Sequence, residues 1–150
     1  MADVGFYHLT RTTLDQALPA LLGRTLAAGE RAVILCASPE RADALSKLLW
    51  DCREPDWLPN GTARSPAGKS APALQPIWLT ETEERPNQAR FLFRLDGRTS
   101  ELPDWTRIFD LFDGRDDPAV TAARTRWTAA KAAGHTLTYW KQTDRGWSKA

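Results

Sequence analysis

The chain has 150 residues, of which 42% are hydrophobic and 26% charged, and its formal net charge is +1. This length and composition indicate one soluble globular domain, residues 1–150, and exclude wholesale disorder. The balanced charge excludes attraction of the whole protein to nucleic acid or to an anionic membrane, although it leaves a local anion site open. Seven residues are Trp, and large rings are costly to expose without a purpose.

Cysteine usage and the N-terminus indicate the compartment. Cys36 and Cys52 have no metal-type spacing, and Cys36 ends an apolar run typical of a buried thiol. A buried free thiol suits a reducing interior. The first residues lack the pattern of a signal peptide, and no apolar run approaches the ~20 residues that span a bilayer. We therefore expect a cytoplasmic protein that does not enter a membrane.

The first elements in chain order are a strand, a helix and a second strand. Residues 3–9 form an aromatic and β-branched run typical of a strand. A helix capped by Thr12 or Thr13 follows, with a kink or a late start expected at Pro19. Residues 31–36 form a continuous apolar strand of the kind that is buried in a parallel sheet.

A second helix opens at Ser38, with Pro39 at its first position, and runs to Trp50. Strand, helix, strand and helix in this order predict an α/β fold with a mostly parallel central sheet flanked by helices, similar to a Rossmann fold. Residues 51–76 then form a long Gly/Pro-rich loop, because five prolines forbid any long element there.

The second half of the chain adds strands and one long helix. The predicted elements are strands at 77–80 and 89–95, a short helix at 104–112, a long helix from Asp116 or Asp117 to Gly134, a strand at 135–141 and a polar tail at 142–150. The short helix rests on the helical spacing of Trp105, Ile108, Phe109 and Phe112. Asp96-Gly97 predicts a turn.

Residues 63–70 (ARSPAGKS) resemble a phosphate-binding loop, except that Ala63 stands where that loop has Gly. Such a loop needs a strand before it and a helix N-terminus after it, so that backbone amides converge on the phosphate. Neither flank predicts such an element. A nucleotide-binding enzyme that uses Lys69 therefore stays the least favoured hypothesis.

No catalytic or metal-binding constellation is present in the sequence. His8 and His135 have no third ligand pattern, and Glu81, Glu83 and Glu84 suit a solvated loop. We therefore expect no intrinsic enzymatic activity and no cofactor.

The last helix carries the informative pattern. At 100° per residue, Val120, Arg124, Trp127 and Lys131 fall within a stripe of about 60°. Alanines gather on another side and suit packing onto the sheet, at positions 119, 122, 123, 130 and 133. Arg126 interrupts that side, so it must pair with a carboxylate or extend to the edge.

Two interpretations of the stripe remain open. Trp127 can pack at the margin of the core with the cations shielding it. Alternatively, Trp127 forms a hydrophobic slot between two positive arms, which suits a peptide end that carries an aromatic ring, a carboxylate and acidic neighbours.

Local charge supports an anionic partner. Residues 121–150 contain six Lys and Arg against Asp144 alone, a balance of +5, so the first 120 residues carry −4. The basic region also holds Trp127, Trp140 and Trp147, which suit base stacking. Direct binding of single-stranded nucleic acid is therefore the rival hypothesis.

A second aromatic cluster follows the second helix. It comprises Trp50 and the turn Trp57-Leu58-Pro59-Asn60. These tryptophans either cap the edge of the sheet or form an exposed patch for a protein partner.

Several features occur together in a recognisable order. They are the FYHL start, the VILC strand with the ALSKLLW helix, the WLPN turn, the long Gly/Pro loop, the IWL strand and the helix end RTRWxxxKxxGH. In this order and spacing the chain resembles the chi subunit of the bacterial DNA polymerase III holoenzyme over essentially its whole length.

The resemblance implies an α/β fold without nucleotide binding, in a non-catalytic subunit of a DNA-directed DNA polymerase complex. It implies a place in the clamp-loader assembly beside the psi subunit, with DNA reached mainly indirectly. The psi-contacting region of the family matches Trp50 and the segment Trp57, Leu58 and Pro59.

The resemblance also implies docking of the acidic, Phe-terminated tail of single-stranded DNA-binding protein. The family's basic and aromatic positions for this tail match Arg124, Trp127 and Lys131. The aromatic is commonly Tyr in the family, and another family cation falls on Thr128. We expect Arg124 and Lys131 to bind the acidic groups of the tail, and Trp127 and Val120 to enclose its Phe.

Overall fold

A computed structural model describes residues 2–55 and 57–150 of the chain. The strands are β1 Asp3–Leu9, β2 Ala32–Leu35, β3 Asn60–Thr62, β4 Ile77–Thr80, β5 Phe91–Arg94, β6 Arg107–Asp113, β7 Thr136–Thr143 and β8 Gly146–Lys149. The helices are α1 Leu14–Ala27, α2 Pro39–Asp51, α3 Pro66–Ser70 and α4 Asp117–Ala132, with a 3₁₀ turn at Pro72–Leu74.

The strands form one sheet in the order β3-β4-β2-β5-β6-β1-β7-β8. Neighbouring strands are parallel except β7 and β8, which pair antiparallel. The predicted α/β fold with a mostly parallel sheet is therefore confirmed.

The sheet is covered on both faces, as a parallel sheet requires. One hydrophobic cluster joins α1 and α2 to alternate residues of the strands, among them Tyr7 and Phe109. The other cluster lies on the opposite face and contains Phe6, Phe112 and Ala123 of α4. This second face carries the candidate functional site.

Local signals placed the first helices correctly. The Thr13 side chain accepts a hydrogen bond from the backbone of Gln16 and caps α1, while Ser38 caps α2 in the same way. Pro19 lies inside α1 without delaying its start.

The predicted Asp96-Gly97 turn is confirmed, because both residues adopt positive φ, 56° and 74°. Cys36 is buried, as predicted.

The helix predicted at 104–112 is wrong, because this segment contains β6. That strand lies between β5 and β1 in the interior of the sheet and is buried on both faces. Apolar side chains on both faces give a nearly continuous apolar run. The run happened to place Trp105, Ile108 and Phe112 at helical spacing, so its periodicity was misleading.

Two segments predicted to be irregular contain regular structure. The polar tail predicted at 142–150 includes the end of β7 and all of β8, which form a hairpin around Asp144 and Arg145. The long loop predicted at 51–76 includes β3, α3 and the 3₁₀ turn. Asp56 of that loop lies outside the described residues.

Among the described residues, no helix combines the length and the apolar character needed to cross a membrane.

Candidate functional site

Helix α4 is held on the sheet by a buried ion pair. Arg126 donates from Nε to Asp110 Oδ2 at 2.7 Å and from Nη2 to Asp110 Oδ1 at 2.8 Å. The expected carboxylate partner of Arg126 is therefore found on β6. The buried residues of α4 are Ala123, Arg126 and Ala130, spaced three and four apart on one side of the helix.

The predicted alanine face is only partly correct. Ala123 and Ala130 pack inward, whereas Ala122 and Ala133 are exposed and Ala119 is half-buried. The Arg126 pair sets the rotation of α4, because the guanidinium must reach the carboxylate under the helix. This rotation places Trp127, the next residue, at the margin between helix and sheet.

A pocket of about 210 Å³ lies at this margin. We call it the Trp127 pocket. It is lined by Phe6, Phe112, Val120, Ala123, Arg124, Trp127 and Tyr139. Three of the four residues of the predicted stripe therefore share one cavity. The Trp127 ring packs at the margin of the core, as the first interpretation predicts, and it also walls a pocket; the peptide site of the second interpretation stays a prediction.

Aromatic side chains form the walls of the Trp127 pocket. The Trp127 ring packs edge-on against Phe6 with centroids 5.3 Å apart, and against Tyr139 with centroids 5.9 Å apart. Such contacts fix the ring orientation. Trp127 is half-buried, so part of its ring stays in contact with solvent.

Lys131 does not line the Trp127 pocket. It is exposed and lies about one helical turn, ~6 Å along the axis, beyond Trp127. Arg124 is also exposed and does line the pocket. The two predicted cations therefore lie on either side of Trp127 along α4. Arg124 is at the rim of the pocket, and Lys131 lies outside it.

The pKa shifts of His8 and Tyr139 favour the uncharged forms of both rings. His8 Nδ1 is hydrogen-bonded to the Tyr139 hydroxyl. Burial lowers the pKa of His8, and the nearby cations Lys141 and Arg124 lower it further. Burial raises the pKa of Tyr139, against an opposing effect of Arg124. The positive charge near the pocket therefore belongs to Arg124 and Lys141.

Sequence reasoning missed the strand contributions to this site. Phe6, Phe112 and Tyr139 come from three adjacent strands, β1, β6 and β7. The available signal was strand alternation, because Tyr139 and Lys141 are two residues apart and lie on the same side of β7. The helix stripe alone gave no information on which strand lies below it.

The three tryptophans proposed as a base-stacking platform lie on two faces of the sheet. Trp140 and Trp147 pack against the cluster that includes Tyr7, with ring centroids 6.2 Å and 5.0 Å from Tyr7. Trp127 packs against the opposite cluster. The three rings therefore do not form one platform.

The second aromatic cluster is divided between surface and core. Trp50 is 51% exposed and Trp57 is 72% exposed, whereas Leu58 is 1% exposed and belongs to the core. Pro59 is half-buried. The two tryptophans are thus accessible to a partner, while Leu58 anchors the segment that carries Trp57.

The segment resembling a phosphate-binding loop has both flanking elements that we expected to be missing. Strand β3 precedes it and the five-residue helix α3 lies within it. Its amides are already engaged, however. Ser65 Oγ accepts from the backbone N–H of Thr62 and Gly68, and Thr62 Oγ1 accepts from Arg64 and Ser65. The loop closes on itself, which argues against phosphate binding.

Two glutamates expected to lie in a solvated loop bind buried indoles. Glu84 Oε1 accepts from Trp78 Nε1 at 2.9 Å, and Glu83 Oε2 accepts from Trp105 Nε1 at 2.8 Å. These carboxylates hold the covering segment on the sheet. In the part of the chain that the structure describes, no group of three His, Cys, Asp or Glu side chains is placed to hold a metal ion.

The fold and the pocket define a small α/β protein whose last helix carries an aromatic-walled, cationic cavity. The family described as DNA polymerase III chi subunit, HolC, matches residues 1–138. A curated relative, the probable DNA polymerase III subunit chi of Rickettsia prowazekii (strain Madrid E), is 27% identical over 92 residues, which is 61% of this chain and 53% of that protein. The chain thus aligns with about half the length of this relative.

The chain belongs to the DNA polymerase III chi subunit family. The resemblance inferred from the order of its motifs is confirmed. The members of this family are described as chi subunits of DNA polymerase III.

Proposed function

We propose that this accessory subunit links the clamp-loader assembly to single-stranded DNA-binding protein by docking the acidic, Phe-terminated tail of that protein in the Trp127 pocket. In this role it acts without intrinsic catalytic activity, in the cytoplasm, and reaches DNA mainly through the owner of the tail. The observation that carries the proposal is the half-buried Trp127 ring, which walls a pocket beside the exposed Arg124.

The size and lining of the pocket suit one aromatic side chain. Its volume is about 210 Å³, and its walls include Phe6, Val120 and Trp127. A Phe ring that enters such a pocket contacts aromatic edges and a β-branched side chain, which are favourable partners for an aromatic ring. A small apolar pocket with a few cations at its margin is a typical peptide-end site.

The cations are placed for the charged part of the tail. In the proposed complex Arg124, at the rim of the pocket, binds the terminal carboxylate, and Lys131, one turn further along α4, binds a preceding acidic residue. Lys141 on β7 adds positive charge near the same pocket. Charge-assisted contacts of this kind give both orientation and affinity.

Titration of a fluorescent tail peptide tests the proposal. Arg124→Ala is expected to weaken binding about fivefold to tenfold, because a charged hydrogen bond at an accessible site contributes roughly 1 to 1.4 kcal/mol. Trp127→Ala is expected to weaken it further. Lys149→Ala in β8 is the matched control, since it removes one cation from the same basic region without approaching the pocket.

The peptide itself supplies further controls. Replacement of its terminal Phe by Ala, or amidation of its C-terminus, is expected to reduce binding to the wild-type protein. Equal affinities of wild type and Arg124→Ala would reject the site. Tight binding of a bare single-stranded oligonucleotide without the peptide would favour the rival nucleic-acid hypothesis.

We also propose that Trp50 and Trp57 form the contact with the psi subunit of the clamp loader. Exposed tryptophans are unusual on a surface without a partner and are enriched at protein interfaces. Trp57 is the most exposed of the large hydrophobic side chains described, at 72%.

Co-purification of psi with the double variant Trp50→Ala/Trp57→Ala tests this contact. Loss of psi binding with unchanged affinity for the tail peptide supports two separate partner surfaces. Retention of psi by the double variant would show that psi binds elsewhere.

A further inference from the structure

Two arginines share one carboxylate beneath α4. Arg94, on β5, places Nη2 at 3.0 Å from Asp110 Oδ2, the same oxygen that Arg126 Nε contacts at 2.7 Å. The three residues are at most 7% exposed. This buried cluster therefore carries two positive charges and one negative charge, a net charge of +1.

The hydrogen-bonding capacity of the Arg94 guanidinium is only partly used. Nη1 donates to Ser100 Oγ at 3.1 Å. Within residues 2–55 and 57–150, the buried Nε and Nη2 have no hydrogen-bond partner, since the Asp110 contact has ion-pair distance but not hydrogen-bond geometry. Buried donors without an acceptor are rare and destabilising, most of all when they are charged.

Arg94 lines a second pocket, of about 220 Å³, which we call the Arg94 pocket. Polar groups at this pocket include Arg126, Ser100, Thr125 and His135. His135 Nδ1 accepts a hydrogen bond from the backbone of Ala2, so the neutral imidazole carries its proton on Nε2 and adds a donor. The charged and fixed groups are therefore mainly donors.

The rest of the lining is apolar. Val4, Ile108, Ala129, Ala130 and Ala133 contribute to the pocket. Ala129 and Ala133 are exposed, so the pocket is accessible from the helix side. An apolar cavity with a fixed cation inside it suits an amphiphilic ligand better than a fully hydrated ion.

We propose that the Arg94 pocket binds a small organic monoanion, whose carboxylate accepts hydrogen bonds from Arg94 and whose short apolar body lies against Val4, Ile108 and the alanines of α4. A single negative charge neutralises the cluster of Arg94, Arg126 and Asp110, whereas a dianion would reverse its sign. The planar fork of a guanidinium matches a carboxylate in geometry.

The electrostatics of the buried cluster agree with this assignment. Burial lowers the pKa of Arg94, against an opposing effect of Asp110, and the neighbouring Arg126 lowers it further. Glu83 raises the pKa of Arg94, but its carboxylate is already bound to the Trp105 indole. An incoming carboxylate would favour the charged form of Arg94.

The Arg94 pocket is distinct from the Trp127 pocket. Thr125, Ala129 and Ala133 of α4 line the former, whereas Val120, Arg124 and Trp127 line the latter. The two pockets lie along different sides of the same helix and share no lining residue. Binding of the monoanion is therefore expected to be independent of the tail peptide.

NMR titration with benzoate tests the proposal, with benzamide as the uncharged probe of matched shape. Benzoate is expected to shift the Arg94 Nε–H resonance and to raise the melting temperature, because a ligand that binds only the folded state stabilises it. Benzamide and inorganic phosphate are expected to bind at least about tenfold more weakly, since each loses either the charge-assisted bonds or the apolar contact.

Two variants separate binding from folding. Arg94→Met removes the surplus cation and is expected to fold and to lose benzoate binding. Ala129→Leu leaves the arginines intact and is expected to block the pocket by filling it. Saturating tail peptide is expected to leave the benzoate affinity unchanged.

Several outcomes would overturn the assignment. One is equal affinity of benzoate for wild type and for Ala129→Leu. A second is an affinity for phosphate above that for benzoate. A third is the absence of any effect of benzoate on the wild-type protein. Displacement of benzoate by the tail peptide would show instead that the pocket belongs to the tail site.

Discussion

Arg126 and Asp110 form a bidentate pair, at 2.7 Å and 2.8 Å, between the last helix and an interior strand of the sheet. The pair fixes the rotation of α4 and thereby places Trp127 edge-on to Phe6. A structural contact in the core thus determines which side of the helix forms the candidate docking pocket.

The Arg126–Asp110 pair predicts unequal effects on stability for substitutions of its two members. Asp110→Asn leaves Arg94 and Arg126 buried without a counter-charge and is expected to lower the free energy of unfolding by roughly 3–5 kcal/mol. Arg126→Met is expected to cost less, because Asp110 keeps its contact with Arg94. Urea unfolding of both variants measures the difference. A larger loss in Arg126→Met than in Asp110→Asn would contradict the shared-carboxylate arrangement.

His8 predicts a loss of stability in mild acid. Burial lowers its pKa from the ordinary value of 6.5, with further contributions from Lys141 and Arg124. The folded state therefore binds fewer protons than the unfolded chain between the two pKa values. This contribution to the free energy of unfolding is complete above pH 6.5 and is lost as the pH falls through the lowered pKa.

Urea unfolding between pH 7.5 and 5 measures this effect. His8→Gln keeps a polar group that can bond to the Tyr139 hydroxyl but does not titrate in this range. The variant is therefore expected to have a flatter pH profile than wild type. Identical slopes for the two proteins would assign the acid sensitivity to other groups.

The two cysteines are expected to differ in reactivity. Burial raises the pKa of the Cys36 thiol to about 11, so little thiolate forms at neutral pH, and the side chain is fully enclosed. Cys52 is only half-buried. Titration with a disulfide reagent is expected to label one thiol rapidly and the second only on unfolding. The fast phase should disappear in Cys52→Ser; its persistence would show that Cys36 is accessible.

Much of the fold could be predicted from local signals. Thr13 and the Ser38-Pro39 pair fixed two helix starts, and the apolar run at 31–36 indicated β2. The failures at β6 and β8 have a different origin. A strand buried on both faces has no polar face to reveal its period, and β8 forms because it pairs with β7, a contact that its own composition does not encode.

The sequence predicted the helix residues of the candidate site but not its strand residues. Helical spacing brought Val120, Arg124 and Trp127 together, because residues three and four apart lie on one side of a helix. Phe6 and Tyr139 required the order of the strands. The Arg94 contact with Asp110 likewise depends on β5 lying beside β6, which the sequence alone did not show.

Salt is expected to weaken tail docking without abolishing it. The Debye length falls from about 10 Å at 0.1 M to about 3 Å at 1 M ionic strength, so the contacts of Arg124 and Lys131 are screened while burial of the Phe ring is not. Peptide titrations across this range should show an affinity that falls severalfold. In Arg124→Ala/Lys131→Ala the salt dependence should be much smaller, and an unchanged dependence would assign it to other cations.

Intermolecular nuclear Overhauser effects between the tail peptide and the labelled protein test the docking site most directly. The terminal Phe ring is expected to show them to the Val120 methyl groups and to the Trp127 ring, and a peptide that ends in Ala should show neither. A bound peptide whose Phe ring contacts Trp50 or Trp57 instead, with no effect at Val120, would contradict docking in the Trp127 pocket.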